Sequence, residues 1–375
     1  MAIGETEAAR PPFVFWTCLW AGGLAVILVA TAYDIIKPDL GVPLGRDFSN
    51  LYVAGTLALQ GQAYLAFDPD TFRLAIKDIV GTLTQQVYSY PPHALFIAVP
   101  FALLPYEWSL TVWSLLTLAF FYWAARPYVG FAPILAVLTP AAALNIWCGQ
   151  HGLLLGALWL VYFRLLGERP VSAGLVAAAM TFKPHLGLLI GLTSLTNWRT
   201  VLTAIGGTAA LVLASAWAFE WSGWYGFISE NVGTHVGFLT QQSDDFYFRL
   251  MPSAYAAYGR NSIAAALQLL VALAALAMVV RYRRIDPFVL ATATFLIVPY
   301  AFTYDMPVAC LGFAIVLWRE WATLRSWERA ALAIAFLTPA IALAIEHWGA
   351  MAAAPALLAA LYVQTKPGEM VAGTI

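Results

Sequence analysis

Long apolar runs separated by short polar turns set the pattern of this chain. Several runs exceed the ~18 residues that suggest a bilayer span. The first, about Phe13–Tyr33, leads into the least hydrophobic long stretch, Asp34–Tyr90, which contains Asp34, Lys37, Asp39, Arg46, Asp47, Asp68, Asp70, Arg73, Lys77 and Asp78. Within it, Phe48–Gln60 reads as a helix ended by Gly61. Asp70–Val80 reads as an amphipathic helix opened by the turn Asp68-Pro69, and both are expected on the outer membrane surface. Ala94–Leu104 is short and bounded by prolines, so it reads as a partial or re-entrant helix, and Trp108–Ala124 reads as a full span. Phe131–Val137 leads to Pro140, and spans are expected at Leu153–Leu166, Val171–Phe182, Leu186–Leu195 and Val201–Phe219. A second polar loop, Glu220–Arg260, precedes spans at Ile263–Val280, Phe288–Phe302, Met306–Trp318, Ala330–Ile345 and Trp348–Val363. The pattern predicts an all-α polytopic membrane protein, a single domain over 1–375, with about 12 spans, give or take one.

Lys and Arg set the orientation. Arg10, Arg126, Arg164, Arg169, Arg199, Arg281, Arg283, Arg284, Arg319, Arg325, Arg329 and Lys366 form a consistent cytoplasmic set. The opposite turns then face outward: Gly149–His151, Lys183–His185, the 220–260 loop, Tyr304–Asp305 and Glu346–His347. Polar residues inside the hydrophobic body therefore gather on one side, which is also the side of Asp47.

Composition agrees with this picture. The 375 residues are 62% hydrophobic and 10% charged, where a soluble domain carries about a quarter charged residues. Arg10 and the small-residue triplet Ala30-Thr31-Ala32 mimic a signal peptide, but the run is too long for one, and an uncleaved first helix is expected. A net charge of −1 gives no basic field for nucleic acid. Cys18, Cys148 and Cys310 lie scattered in apolar stretches and read as buried free thiols. No metal-ligand spacing, P-loop or dinucleotide fingerprint occurs, so neither a metal nor a nucleotide cofactor is implied. No internal repeat is visible.

Candidate chemistry centres on Asp47. A carboxylate just before a helix reads equally as an N-cap or as a general base, and the two roles are compatible. Arg46 beside it reads as an ion-pair partner or a phosphate clamp. Lys183, with His185 two residues on, puts a cation on the outer side against the positive-inside bias, which a lipid-phosphate contact would explain, with snorkelling to outer headgroups the competing account. Tyr88, Tyr90 and His93 flank two prolines that fix an extended approach to the next helix; an interfacial aromatic belt is the bland account of the two rings. Gln150, His151, Tyr304 and Asp305 are outward polar residues in apolar surroundings, with helix capping the competing account for Asp305. Glu220, Glu230, His235, Asp244 and Asp245 read mostly as solvated loop surface.

The order Arg46-Asp47-Phe48…Tyr52, Gly61-Gln62-Ala63-Tyr64, Tyr90-Pro91-Pro92, Pro140…Gly149-Gln150, Lys183-Pro184 and Tyr304-Asp305 resembles glycosyltransferase family 87 over about 45–305. The resemblance implies a GT-C-type fold with its active site on the extracytoplasmic face of the plasma (inner) membrane. It implies a polyprenyl-phosphate sugar donor, usually of mannose, a lipid or glycan acceptor, and Asp47 as the base of an inverting displacement. Lys183, with Arg46 or His185, would hold the donor phosphate. Tyr52, Tyr64, Tyr88, Tyr90, His93, Gln150, His151, Tyr304 and Asp305 would contact sugar or acceptor. His151 departs from the small polar residue expected after Gln150, which bears on acceptor identity. A transporter or flippase of a lipid-linked sugar is the competing function.

Overall fold

The computed structural model describes residues 10–36, 42–82, 86–130, 133–231, 233, 236–237 and 246–366. Lys37, Asp39, His235, Asp244 and Asp245 lie outside the described residues, as do the side chains of Glu346 and His347. All regular structure among the described residues is helical: α1 (Phe13–Ile36), α2 (Phe48–Leu59), α3 (Pro69–Val80), α4 (Leu95–Ala102), α5 (Tyr106–Ala125), α6 (Pro140–Cys148), α7 (Gly152–Leu166), α8 (Pro170–Ala179), α9 (Leu188–Ser194), α10 (Trp198–Gly226), α11 (Ser262–Tyr282), α12 (Pro287–Ile297), α13 (Pro307–Arg319), α14 (Ser326–Ala344) and α15 (Glu346–Thr365), with short turns between them. Five of these, α1, α5, α10, α11 and α14, are long and apolar enough to cross a membrane unaided. At 1.5 Å per residue, ~20 residues match a hydrocarbon core of ~30 Å.

Ion pairs and cation–π contacts define one end of the body. Arg10 lies 5.6 Å from the Trp318 ring centre, Arg319 donates to the Tyr128 carbonyl at 3.2 Å, and Lys366 pairs with Glu328 at 2.7 Å. These contacts tie the starts of α1 and α14 to the ends of α5, α13 and α15. At the opposite end the start of α2, the end of α6 and the starts of α7 and α13 converge on a polar cluster.

The first polar stretch is more deeply packed than expected. α2 does not lie on a surface: Phe48, Leu51, Val53, Ala54 and Leu57 are buried, and Gly55 lets it cross α4 so closely that a Cβ would stand 2.7 Å from the Ala98 carbonyl oxygen. The short proline-bounded run forms α4, which starts and ends at the polar end. Tyr52 donates to the Leu104 carbonyl at 3.0 Å, and Tyr106 to that of Leu44 at 2.7 Å. Only α5 then runs to the basic end. α3 is amphipathic, burying Phe72 and Ile76, with Asp68 capping it through a 2.7 Å bond from the Thr71 N–H. The Thr71 hydroxyl first, and then this N–H bond, hold the Asp68 carboxyl below its ordinary range. Asp68→Ala is expected to lower stability by about 1 kcal/mol. Because the native pKa is depressed, the gap between the two proteins should be full above the ordinary carboxylate range and close as pH falls through the lower native value; thermal unfolding against pH measures it.

Two further expectations are corrected and a third is extended. Leu186–Leu195 does not form a span: Pro184 lacks an N–H and forces Lys183 out of helical geometry (φ −129°, ψ 71°), leaving α9 only seven residues long. α10 breaks where its apolar run ends, at Phe219 (φ −125°, ψ 15°) and Glu220 (φ 65°, ψ 152°), and a second helical segment continues across that kink to Gly226 where a loop was expected. The Trp224 indole spans the kink to Ser215 Oγ at 3.0 Å. Cys148 and Cys310 are buried free thiols, but Cys18 is exposed on α1.

Candidate active site

Asp47 sits where two tight backbone turns cross. Gly45 and Arg46 both have positive φ, and the Asp47 N–H donates to the Cys148 carbonyl at 3.0 Å, just before Gly149, which also has positive φ. A Cβ on Gly149 would run into Phe48 Cβ and stand 2.6 Å from the Gly45 carbonyl oxygen. The crossing aims the carboxylate inward. Asp47 makes no side-chain cap on α2. Instead Gln86 Nε2 donates to its Oδ1 at 2.6 Å and Gln150 Nε2 to its Oδ2 at 2.8 Å. The capping account is thereby replaced. A carboxylate that accepts two amide N–H groups is fixed in orientation, with lone pairs to spare.

Gln150 has no freedom to flip its amide. Its Oε1 accepts from the Tyr90 hydroxyl (2.9 Å) and from Lys183 Nζ (3.2 Å). An ammonium cannot accept a hydrogen bond, so the Gln150 NH₂ is obliged to face Asp47. Lys183 Nζ also contacts both oxygens of Asp305, at 2.8 and 2.9 Å, which likewise replaces the capping account of Asp305. The Tyr304 ring centre lies 5.4 Å from the same Nζ. Asp305 rides on the turn Thr303–Asp305, whose Tyr304 carbonyl accepts from Asn145 Nδ2 at 3.1 Å. Burial pushes the Asp305 carboxyl up, and Lys183 opposes that shift. Burial, then the carboxylates of Asp305 and Asp47, raise the Tyr90 phenol well above its ordinary value, so it remains an O–H donor.

His151 completes the floor. Its ring lies 4.5 Å from that of Tyr90, 5.1 Å from Trp113 and 5.5 Å from Phe182, and among the described residues neither ring nitrogen has a hydrogen-bond partner. Burial, and then the Lys183 charge, hold it well below its usual range and therefore neutral. Arg46 is adjacent but engaged: it forms a two-point ion pair with Asp34 at the end of α1 (2.9 and 3.1 Å) and covers the Trp147 ring at 4.0 Å.

Beside the cluster an apolar groove of about 670 Å³ runs between α8, α9 and α10, lined by residues including Thr181, Pro184, Ile190, Ser194, Ile205 and Leu213. Thr181 and Pro184 flank Lys183, so the groove begins at the lysine turn and extends along the helices away from it. His93 stands at that end. The Thr181 hydroxyl donates to the Ala178 carbonyl (2.6 Å), so it accepts from His93 Nε2–H (3.1 Å), and the imidazole stacks on Trp224 with ring centres 5.8 Å apart.

The family model of glycosyltransferase family 87 matches residues 88–302, more than half of the chain. The chain belongs to glycosyltransferase family 87. Within family 87 it is an all-helical membrane glycosyltransferase, and the matched segment carries Tyr90, Gln150, His151 and Lys183, while Asp47 precedes it and Asp305 follows it. No curated protein and no solved structure matches the chain.

Not every candidate residue of this family-87 chain joins the cluster. Tyr52 packs edge-on against Tyr106 and bonds the Leu104 carbonyl. Tyr64 is exposed, and Tyr88 is fully buried among Phe67, Phe72 and Tyr90. His185 points its ring at Tyr300. Conversely, Gln86, Asn145, Trp113, Trp147 and Thr181 shape the site without having been expected there. Asn145, a lone amide in the apolar run Pro140–Cys148, carried a usable signal. Gln86 carried none, lying in a polar stretch like any loop residue. Among the described residues no group of three or more His, Cys, Asp or Glu side chains is arranged to hold a metal ion.

Proposed function

We propose that this glycosyltransferase moves a hexose, with mannose the first candidate, from a polyprenyl-phosphate donor to a hydroxyl of a lipid or glycan acceptor, with inversion. The observation that supports this best is the one-amide separation of Asp47 from Lys183, whose turn also opens the apolar groove. A base, a cation and a lipid-sized trough thus lie side by side. The prenyl chain occupies the groove, burying apolar surface at roughly 25 cal/mol per Å², and its phosphate lies against the Lys183 turn. The acceptor hydroxyl oxygen attacks the anomeric carbon while Asp47 takes its proton. The bond from the anomeric carbon to the phosphate oxygen breaks on the opposite face, and polyprenyl phosphate leaves with the electron pair, stabilised by Lys183. The proton on Asp47 then returns to water. In this reading the fold is of GT-C type and the site faces the extracytoplasmic side of the plasma membrane, which the positive-inside arrangement of Lys and Arg supports.

The test is transfer itself. Purified protein in lipid nanodiscs, given radiolabelled polyprenyl-phosphate mannose and a panel of lipid and glycan acceptors, is expected to form a labelled product with inverted anomeric configuration. Absence of hexose transfer from every polyprenyl-phosphate donor across the panel overturns the reading. Movement of the intact donor across a bilayer without transfer would establish the flippase instead.

A further inference from the structure

Lys183 is placed unusually for a residue that is to hold a phosphate. Its backbone lies at the groove mouth, between Thr181 and Pro184, yet its ammonium turns inward. An ammonium has three donors, and all three are engaged: two by the oxygens of Asp305 (2.8 and 2.9 Å) and one by Gln150 Oε1 (3.2 Å). Lysine and aspartate are both about 95% buried, each being 5% exposed, so the pair is little screened by water. An arriving phosphate oxygen therefore has to displace an existing acceptor, and Asp305 supplies two of the three.

We infer that Asp305 is a positioning residue that competes with the lipid phosphate for Lys183, loosening the hold on donor and product alike and recapturing the ammonium as polyprenyl phosphate departs. The inference rests on the proposed polyprenyl-phosphate donor. Its physical basis is charge. The donor is a phosphodiester with one negative charge; the departing lipid is a monoester carrying about −1.5 to −2. A buried lysine with no competing carboxylate would hold the product more tightly than the donor and slow each turnover at release. With Asp305 present, loss of the product restores a two-point ion pair, and that offsets part of the free energy of losing the phosphate contact. Burial raises the carboxyl of Asp305 while Lys183 lowers it, so the carboxylate is itself stabilised by keeping this partner.

Asp305→Asn tests the inference because it keeps an acceptor oxygen and removes the competing charge. Direct binding of farnesyl phosphate and of a long-chain polyprenyl phosphate to detergent-solubilised protein is expected to tighten about tenfold. The donor KM is expected to fall, product inhibition to strengthen and kcat to drop. A purely structural role predicts the reverse for binding: weaker affinity together with lower kcat. Unchanged or weaker binding by a folded Asp305→Asn protein overturns the inference. Adding Lys183→Met to Asp305→Asn should abolish the gain in affinity, and persistence of the gain overturns it too. If Asp305→Asn does not fold, a structure of the wild-type protein with farnesyl phosphate decides. Release of at least one Asp305 oxygen by Lys183 Nζ supports the exchange, and retention of both with phosphate bound overturns it. Wild-type protein that binds polyprenyl phosphate but transfers from no such donor defeats the functional reading alone, and the affinities still judge Asp305. Wild-type protein that binds none defeats both.

Discussion

Asp47→Asn is expected to lower kcat by about 10³-fold, within the range general-base catalysis supplies, while donor affinity stays within about twofold of wild type, since the side chain lies away from the groove. The hydrogen-bond pattern predicts how the variant settles. Gln86 and Gln150 both offer NH₂ groups to position 47, so an asparagine there presents one NH₂ to another. Gln150 cannot turn, because Tyr90 and Lys183 hold its oxygen. At Gln86 the oxygen accepts from the Ser49 hydroxyl at 2.8 Å, and a hydroxyl rotates to accept from a flipped amide as readily as to donate. The substituted amide should therefore direct its oxygen at Gln150 and its NH₂ at a flipped Gln86, at a stability loss of about 1 kcal/mol. Single-turnover transfer and donor binding, measured on the same preparation, check both halves. Retention of a tenth or more of wild-type turnover would remove Asp47 from the role of base.

The gathering of Asp47, Gln150, Lys183 and Asp305 was legible in outline, because a turn between apolar runs has to lie at one end of the helices and Lys and Arg mark the other end. What each residue does there was not. An Asp before a helix obeys a local rule that predicts a cap. The positive φ values of Gly45 and Arg46 turn it instead toward a glutamine 103 positions away. The partner of Lys183 lies 122 positions away, and no pattern in either segment names it. Tyr88 and Tyr90 look equivalent in sequence. They do pack ring to ring at 5.4 Å, but Tyr88 stands one layer behind, against Phe67 and Phe72, and only Tyr90 reaches Gln150. Helix lengths divide in the same way. The break at Lys183 follows from Pro184, a signal present in the sequence. The break at Phe219 and Glu220 has neither proline nor glycine and falls where the apolar run ends in the sequence; that the chain beyond it is helical and folds onto Phe67 and His93 has a tertiary cause with no local trace.

Gly149→Ala is expected to cost about 2–4 kcal/mol, from a left-handed backbone that a Cβ disfavours and from overpacking in a closed space. Gly149 has φ +62°, and the added carbon would meet Phe48 Cβ and the Gly45 carbonyl, the second of which is backbone and cannot rotate aside. Relief requires the 45–48 turn to move away from the 148–149 turn. That motion lengthens the bond from the Asp47 N–H to the Cys148 carbonyl and separates the carboxylate from Gln150, the next residue. A shift of about 1 Å at a reacting group is worth roughly 100-fold in rate, so transfer should fall by about that factor in whatever fraction of the protein still folds. Gly167→Ala serves as the control: its φ is −76° and nothing lies within 4 Å of the added carbon. Thermal unfolding and transfer, measured in parallel, should show Gly149→Ala losing both and Gly167→Ala losing neither. Asp47→Asn, by contrast, should lose chemistry with little change in stability. Equal melting temperature and turnover for the two glycine variants would mean that the crossing of these turns does not set the position of the base.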